Sequence, residues 1–135
     1  MHFFIPLKKI PTVTAQQKRI TVRNGKPVVY EDARLANARE MFCSHLAQHA
    51  PKKPLVGPVY LQTVWLFPTK DKTQMGKHKT TKPDTDNLLK LFKDCMTTCG
   101  YWKDDAQVAD ERTTKRWANE TPGIFVQVLE ASDYE

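Results

Sequence analysis

Between Val59 and Phe67 the chain reads Val-Tyr-Leu-Gln-Thr-Val-Trp-Leu-Phe, an uncharged run of β-branched, aromatic and aliphatic side chains. Its bias predicts a largely buried strand at the centre of a sheet. Upstream the period changes: Leu35, Ala38, Met41, Phe42 and Leu46 recur at three- and four-residue intervals. That spacing predicts an amphipathic helix from Asp32 to about His49, with Asp32 as cap and Pro51 as stop. Before it, Arg19–Arg23 and Val28–Tyr30 flank Asn24-Gly25, a pair that tolerates positive φ and predicts a hairpin. The opening stretch, Phe3 to Val13, carries Pro6 and Pro11 and suits an irregular edge strand. Beyond the central strand, residues 68–83 hold Met75 as their one large apolar side chain and predict a mobile basic loop. A second helix is predicted to open at Asp86 as N-cap, with Leu88, Leu89, Phe92 and Met96 as its apolar stripe and its end at Thr97–Gly100. Two further strands are expected near Gln107–Trp117 and Ile124–Leu129. The order strand, hairpin, helix, strand, helix, strand, strand describes an α+β or mixed α/β fold, a small mixed sheet covered by two main helices.

Length adds that residues 1–135 form a single domain. Charge adds a partner class. Twenty-one Lys and Arg against 15 Asp and Glu leave +6, a balance that favours nucleic acid or another polyanion through counterion release. Between Lys52 and Lys82 the chain carries seven lysines and only Asp71 as an acid. Cys43, Cys95 and Cys99 form neither a CxxC pair nor a zinc set with spaced histidines, and read as reduced thiols. The N-terminus has no secretory pattern and no segment is apolar enough for a span, so a soluble cytoplasmic protein without membrane association is expected.

Acidic side chains gather where the basic loop ends. In Lys82-Pro83-Asp84-Thr85-Asp86-Asn87-Leu88-Leu89-Lys90, Asp84 lies just before the predicted helix and Asp86 at its entrance, with Lys90 one turn along the same face as Asp86. Asp104 and Asp105 follow that helix and return to its start only if the next strand runs back alongside it. Mg²⁺ takes carboxylate and water oxygens and commonly only one or two protein carboxylates, leaving positions for phosphate oxygens and a nucleophilic water. Three aspartates of this set suffice for one or two ions, and Lys90 can stabilise charge on the phosphoryl oxygens or orient the attacking water. Without metal such carboxylates repel one another, so metal is expected to raise stability. The competing reading makes Asp84 or Asp86 a helix cap and Asp104-Asp105 a solvated turn, in a non-catalytic DNA-binding module. A calcium loop is excluded, since its third acid, central glycine and distal glutamate are missing after Asp86-Asn87.

The run from Lys82 to Lys90, then Asp94, then Gly100-Tyr101-Trp102-Lys103-Asp104-Asp105-Ala106-Gln107-Val108, resembles the RusA family of Holliday junction resolvases. The shared pattern is D-x-D-N-L-x-K, an Asp four residues later, an aromatic residue, and D-D-A-Q-[IV]. The resemblance implies a homodimeric, Mg²⁺-dependent endonuclease, with Mn²⁺ able to substitute, that resolves four-way DNA junctions by paired symmetric nicks. It implies a bacterial or phage-encoded, nucleoid-associated protein. It also assigns roles: Asp84, Asp86 and Asp105 as metal ligands, and Lys90 as the essential lysine, the four together forming the catalytic set. Where the family is arginine-rich before the first aspartate, this chain has Thr80-Thr81-Lys82-Pro83.

Adjacency to the aspartates turns the loop lysines into candidate DNA contacts, because a carboxylate site needs positive charge nearby to admit phosphate. Lys77, Lys79 and Lys82 are expected on phosphates, with Lys115 and Arg116 further along. A related metal-dependent nuclease acting on flaps, nicked duplex or RNA would keep all of these features. His45 and His49 have a zinc-compatible spacing without the glutamate of a metalloprotease and are expected to be solvated. Trp65, Trp102 and Trp117 are expected to pack in the core or along a dimer, Trp102 also bordering the acidic turn.

Overall fold

The computed structural model describes residues 1–12, 18–31 and 33–130. Its elements follow the expected order: β1 (His2–Pro6), β2 (Lys18–Arg23), β3 (Lys26–Glu31), α1 (Ala33–Ala47), β4 (Val59–Phe67), α2 (Thr85–Thr98), a 3₁₀ turn (Asp105–Gln107), β5 (Val108–Trp117) and β6 (Gly123–Glu130). Strands β1, β6, β4 and β5 form a mixed sheet in that spatial order, while β2 and β3 form a separate two-stranded ladder. The architecture is α+β with a small mixed sheet and two helices, as the sequence pattern predicted.

β4 owes its place to its composition. It pairs antiparallel with β6 and parallel with β5, and Val59, Leu61, Thr63, Trp65 and Phe67 are buried along one face. The opposite face is only half-buried, so the strand alternates rather than being apolar on both sides. Trp65 is fully buried, and its indole N–H donates to Thr63 Oγ1 at 2.9 Å, which satisfies the one polar atom that burial would strand. Helices α1 and α2 cover this face. Phe42 and Phe92 meet edge-on at 5.3 Å and Trp65 meets Phe92 at 5.4 Å, tying both helices to β4 through aromatic pairs worth about 0.5–1.5 kcal/mol each beyond burial. Leu35, Ala38, Phe42 and Leu46 are the buried stripe of α1. Asp32, expected as its cap, and Val13, the expected end of the first strand, lie outside the described residues.

Turn chemistry behaves locally as expected at the hairpin, where Asn24 and Gly25 both take positive φ, 53° and 74°. At Gly123, φ is 154° and an added Cβ would stand 2.2 Å from the Ile5 carbonyl oxygen, so only glycine lets β1 lie against β6 there. β1 is an edge strand as expected, but it ends at Pro6, well short of the expected Val13, and Pro11 lies beyond it.

Because β4 and β5 are parallel, the chain between them must cross over, and α2 is that crossover helix. Both acidic segments lie at its two ends. Among the described residues no helix is long and apolar enough to cross a membrane.

Candidate active site

The turn leading into α2 departs from the sequence expectation in two ways. Residues 68–83 are not a detached loop. Gly76 N–H donates to the Trp117 carbonyl at 2.9 Å, Trp117 N–H to the Lys77 carbonyl at 2.9 Å and Lys79 N–H to the Lys115 carbonyl at 3.0 Å, so the segment adds onto the outer edge of β5. Upstream, Asp71 Oδ1 accepts from the Thr73 N–H at 2.9 Å and its hydroxyl at 2.6 Å, bonds that hold the Asp71 carboxyl below the usual range.

The second departure is the helix start. α2 begins at Thr85 with Asp84 as N-cap residue, two residues before the expected Asp86 cap, and Asp86 lies inside the first turn. Asp84 is in cap position by its extended backbone, φ −72° and ψ 149°, and its carbonyl accepts from Leu88 N–H at 3.2 Å, yet its carboxylate makes no capping hydrogen bond. An exposed carboxylate that leaves the helix N–H groups unserved remains available to a ligand, beside the positive end of the helix dipole.

The turn out of α2 solves the same placement problem differently. Asp104 Oδ1 accepts from Ala106 N–H at 2.9 Å, and Gln107 Oε1 accepts from the N–H groups of Lys103 and Asp104 at 3.1 and 3.3 Å, a capping box around the 3₁₀ turn. The other end of the Gln107 amide donates to the carbonyls of Leu55 and Gly57 at 3.0 and 3.1 Å, fixing the turn to the segment before β4. Adjacent aspartates therefore have different work. Asp104 holds the turn, and Asp105 is its first residue, half-buried and lining a cavity.

That cavity, about 310 Å³, is lined by Asp86, Leu89, Lys90, Lys93, Asp94, Asp105 and Glu111. It runs along one face of α2, where Asp86, Lys90, Lys93 and Asp94 follow helical spacing. β5 does return beside the helix: Lys115 Nζ reaches the Pro83 carbonyl at the α2 entrance, and Glu111 pairs with Lys93 at 3.0 Å midway. Asp105 precedes that strand and so enters the cavity from the far end of the helix. Three of the four expected catalytic residues, Asp86, Lys90 and Asp105, thus share one cavity, while Asp84 lines a neighbouring one of about 410 Å³ with Thr12, Lys82, Pro83 and Asn87. Lys93, Asp94 and Glu111 were not singled out from the sequence as site residues. The first two were legible as the continuation of the Asp86–Lys90 face, whereas Glu111 depends on the register Leu61↔Glu111, which turns it toward the helices.

All the acidic donors here are carboxylate oxygens, the chemistry of a hard divalent cation such as Mg²⁺ or Mn²⁺. Among the described residues no three His, Cys, Asp or Glu side chains stand close enough to hold an ion by themselves. One or two of these carboxylates, with water and phosphate oxygens in the remaining positions, would match the ligand chemistry of Mg²⁺.

The basic residues divide into two groups. Lys77 and Lys82 are exposed. Lys79, expected on a phosphate, is instead turned inward: it is 9 % exposed, its ammonium lies 4.7 Å from the Trp117 ring centre and 5.2 Å from that of Phe67, and it donates to the Thr81 hydroxyl and to the Thr81 and Lys82 carbonyls. Burial, with the Lys115 charge nearby, pushes its pKa down. Lys115 donates to the Thr81 and Pro83 carbonyls, both at 2.7 Å, and Arg116 to the Gly76 carbonyl at 2.9 Å. The reason is geometric: the loop folds back over the β5 edge and supplies carbonyls at the places where these side chains emerge.

The other candidates fall to packing. Trp102 is buried, with its N–H on Thr97 Oγ1 at 2.8 Å, and the exposed His49 stacks on Phe3 at 4.4 Å. Cys95 and Cys99 donate to the Arg39 and Cys43 carbonyls of α1. Burial pushes both thiols up, Cys99 to about 11, which keeps them protonated and unreactive.

A basic chain that lays carboxylates and an ammonium along an open helix face has the chemistry of an enzyme that cuts nucleic-acid backbones. The sequence model of the family described as Endodeoxyribonuclease RusA matches residues 10–129, and the chain belongs to that family; it is a DNA endonuclease. Two relatives span nearly the same length. A Bacillus subtilis (strain 168) protein named "Uncharacterized protein YqaN" is 30% identical over 131 residues, covering 89% of this chain and 91% of that protein. The "Crossover junction endodeoxyribonuclease rusA" of Lactococcus phage r1t is 33% identical over 109 residues, covering 79% and 81%.

Proposed function

We propose that this endonuclease resolves four-way DNA junctions as a homodimer, by paired symmetric nicks, with Mg²⁺ or Mn²⁺ held at the α2 cavity. The observation that carries the reading is the separation of roles at Asp104-Asp105, where one carboxylate is consumed in a capping box while the next residue lines the cavity it shares with Asp86 and Lys90. A solvated surface turn has no need of that division. The named activity of the 33%-identical phage relative supplies the substrate class.

In this reading Asp86 and Asp105 hold the ion, with Asp84 contributing from the neighbouring cavity as the strand docks across the helix entrance. A bound Mg²⁺ would polarise the scissile phosphate and lower the pKa of an attacking water. Lys90, one turn beyond Asp86, faces the same space and stabilises charge on the phosphoryl oxygens. Lys93 and Glu111 pair at 3.0 Å on the wall of the cavity, so that ammonium is already matched by a carboxylate. The exposed Lys77 and Lys82 take phosphates on the approach side and orient the strand without reading its sequence. A symmetric pair of nicks needs two such sites, which a dimer supplies.

Cleavage of a synthetic four-way junction, compared with linear duplex, flap and RNA substrates, tests this. Preference for the junction, dependence on Mg²⁺ and loss of cutting with retained binding in Asp105→Asn are the expected results. Equal cutting of flap and junction substrates would assign the same site to a different nuclease.

A further inference from the structure

We propose that Lys79 and Lys115 are positioning residues for the reaction: together they fix the main chain of Thr81–Pro83 and thereby set where the Asp84 carboxylate stands. The inference rests on the reading of Asp84 as a site residue. The Asp84 main chain caps α2 through its carbonyl, but its carboxylate accepts no capping hydrogen bond that would fix it. Its position must come from the chain that delivers it. That chain presents three consecutive carbonyls, Thr81, Lys82 and Pro83, and all three turn toward two ammonium groups: Thr81 accepts from both lysines, Lys82 from Lys79, and Pro83 from Lys115. Three carbonyls converging on cations are charge-assisted bonds, stronger than neutral ones and directional in sum.

The anchor behind them is rigid. Lys115 belongs to β5, and the Lys79 ammonium lies over the Phe67 and Trp117 rings, one from the end of β4 and one from the end of β5. A buried ammonium over two aromatic faces is a costly arrangement for a loop that only has to be solvated, and a solvated loop lysine would snorkel to water instead. The same two lysines leave positive charge beneath the helix entrance where a carboxylate and a DNA phosphate must approach each other. They act through the backbone and do not touch the reacting atoms.

The experiment measures DNA affinity, its salt dependence and single-turnover junction cleavage for wild type, Lys79→Met, Lys79→Arg, Lys115→Met, Lys82→Met and Asp84→Asn. A phosphate contact contributes about 0.9 to the slope of log K against log salt, so Lys82→Met should flatten the slope by about that amount. Lys79→Met should leave the slope and the metal-free affinity within about twofold of wild type. Its cleavage rate at saturating DNA should fall at least about tenfold, since sub-ångström misplacement of a reacting group is enough for such a loss. The Mg²⁺ concentration for half-maximal rate should rise, and Lys79→Arg, which keeps a stacked cation with donors, should recover most of the rate. Lys115→Met, at a half-buried site, carries the same expectation should Lys79→Met fail to fold. A Lys79→Met protein that lowers the slope by about one with its saturated rate intact is a phosphate contact, and the proposal fails. The proposal also fails if both methionine variants cleave as wild type while Asp84→Asn is inactive, which leaves the catalytic reading standing. Full activity of Asp84→Asn would overturn both together.

Discussion

The two turns that bracket α2 each present an aspartate to a cavity, and they do so with opposite chemistry. At the entrance, cations from the sheet edge hold main-chain carbonyls and the delivered carboxylate, Asp84, is left without a cap bond. At the exit, a carboxylate and an amide hold main-chain N–H groups, Asp104 and Gln107 closing a capping box so that Asp105 stays available. The entrance is a long-range device that exists only after β5 has formed. The exit is largely local, and its partners lie within five residues apart from the Gln107 link to Leu55 and Gly57. The lesson is that an exposed aspartate becomes useful when some other group does the structural work beside it.

The strongest way to break the comparison is to remove the delivered carboxylates. Asp84→Asn and Asp105→Asn should each lower single-turnover cleavage by roughly 10²–10³-fold, in the range seen when one preorganised electrostatic group is lost, while DNA binding survives. If only one of them matters, the two turns are not equivalent in function. Metal linkage sharpens this. A ligand bound only by the folded state at a hundred times its Kd adds about 2.7 kcal/mol, so Mg²⁺ or Mn²⁺ should raise Tm by several degrees in wild type and far less in Asp105→Asn. Identical melting of the two at every metal concentration would remove Asp105 from the metal site.

Smaller effects separate holding from delivering. Gln107→Ala cuts the exit turn from both the 103–104 backbone and the 55–57 segment and should cost about 1–2 kcal/mol in urea unfolding. Asp104→Ala loses only the cap and should cost about 1 kcal/mol with a partial loss of activity, whereas Asp105→Asn should lose activity without that loss of stability. Least of all is the alkaline limb. Burial raises the Cys99 thiol to about 11 in the folded protein, above its ordinary range, so the unfolded chain releases that proton first. Stability associated with the thiol is full below about pH 9 and is lost as pH rises through the interval to about 11. Cys99→Ala should therefore show a shallower decline of stability than wild type across that interval.

Much of this molecule could be read before folding because the signals were local. β4 has the bounds its composition implied, and Asn24-Gly25 makes its turn from its own φ preferences. The stripe of α1 is buried as its period required. The D-D-A-Q segment was conspicuous, but which aspartate would be free was not, since that depends on where the 3₁₀ turn begins. The start of α2 lies two residues before the expected cap because Asp84 and Asp86 are both good caps by residue type, and the helix takes the earlier one. Lys79 looked like its exposed neighbours Lys77 and Lys82 because sequence gives no sign of which side chain meets Phe67 and Trp117.

The sequence by itself determined the element order, the mixed sheet with β4 inside it, the family and the candidate side chains for its chemistry. Only the tertiary structure decided which of those side chains face the cavity, which are consumed in holding a turn, and that Glu111 and Lys93 stand beside Asp86, Lys90 and Asp105. The division follows from range. Strand period, helix period and turn preference act over a few residues and are written in the chain, whereas the fate of a charge depends on which backbone groups and rings a distant strand brings within about 3–5 Å of it.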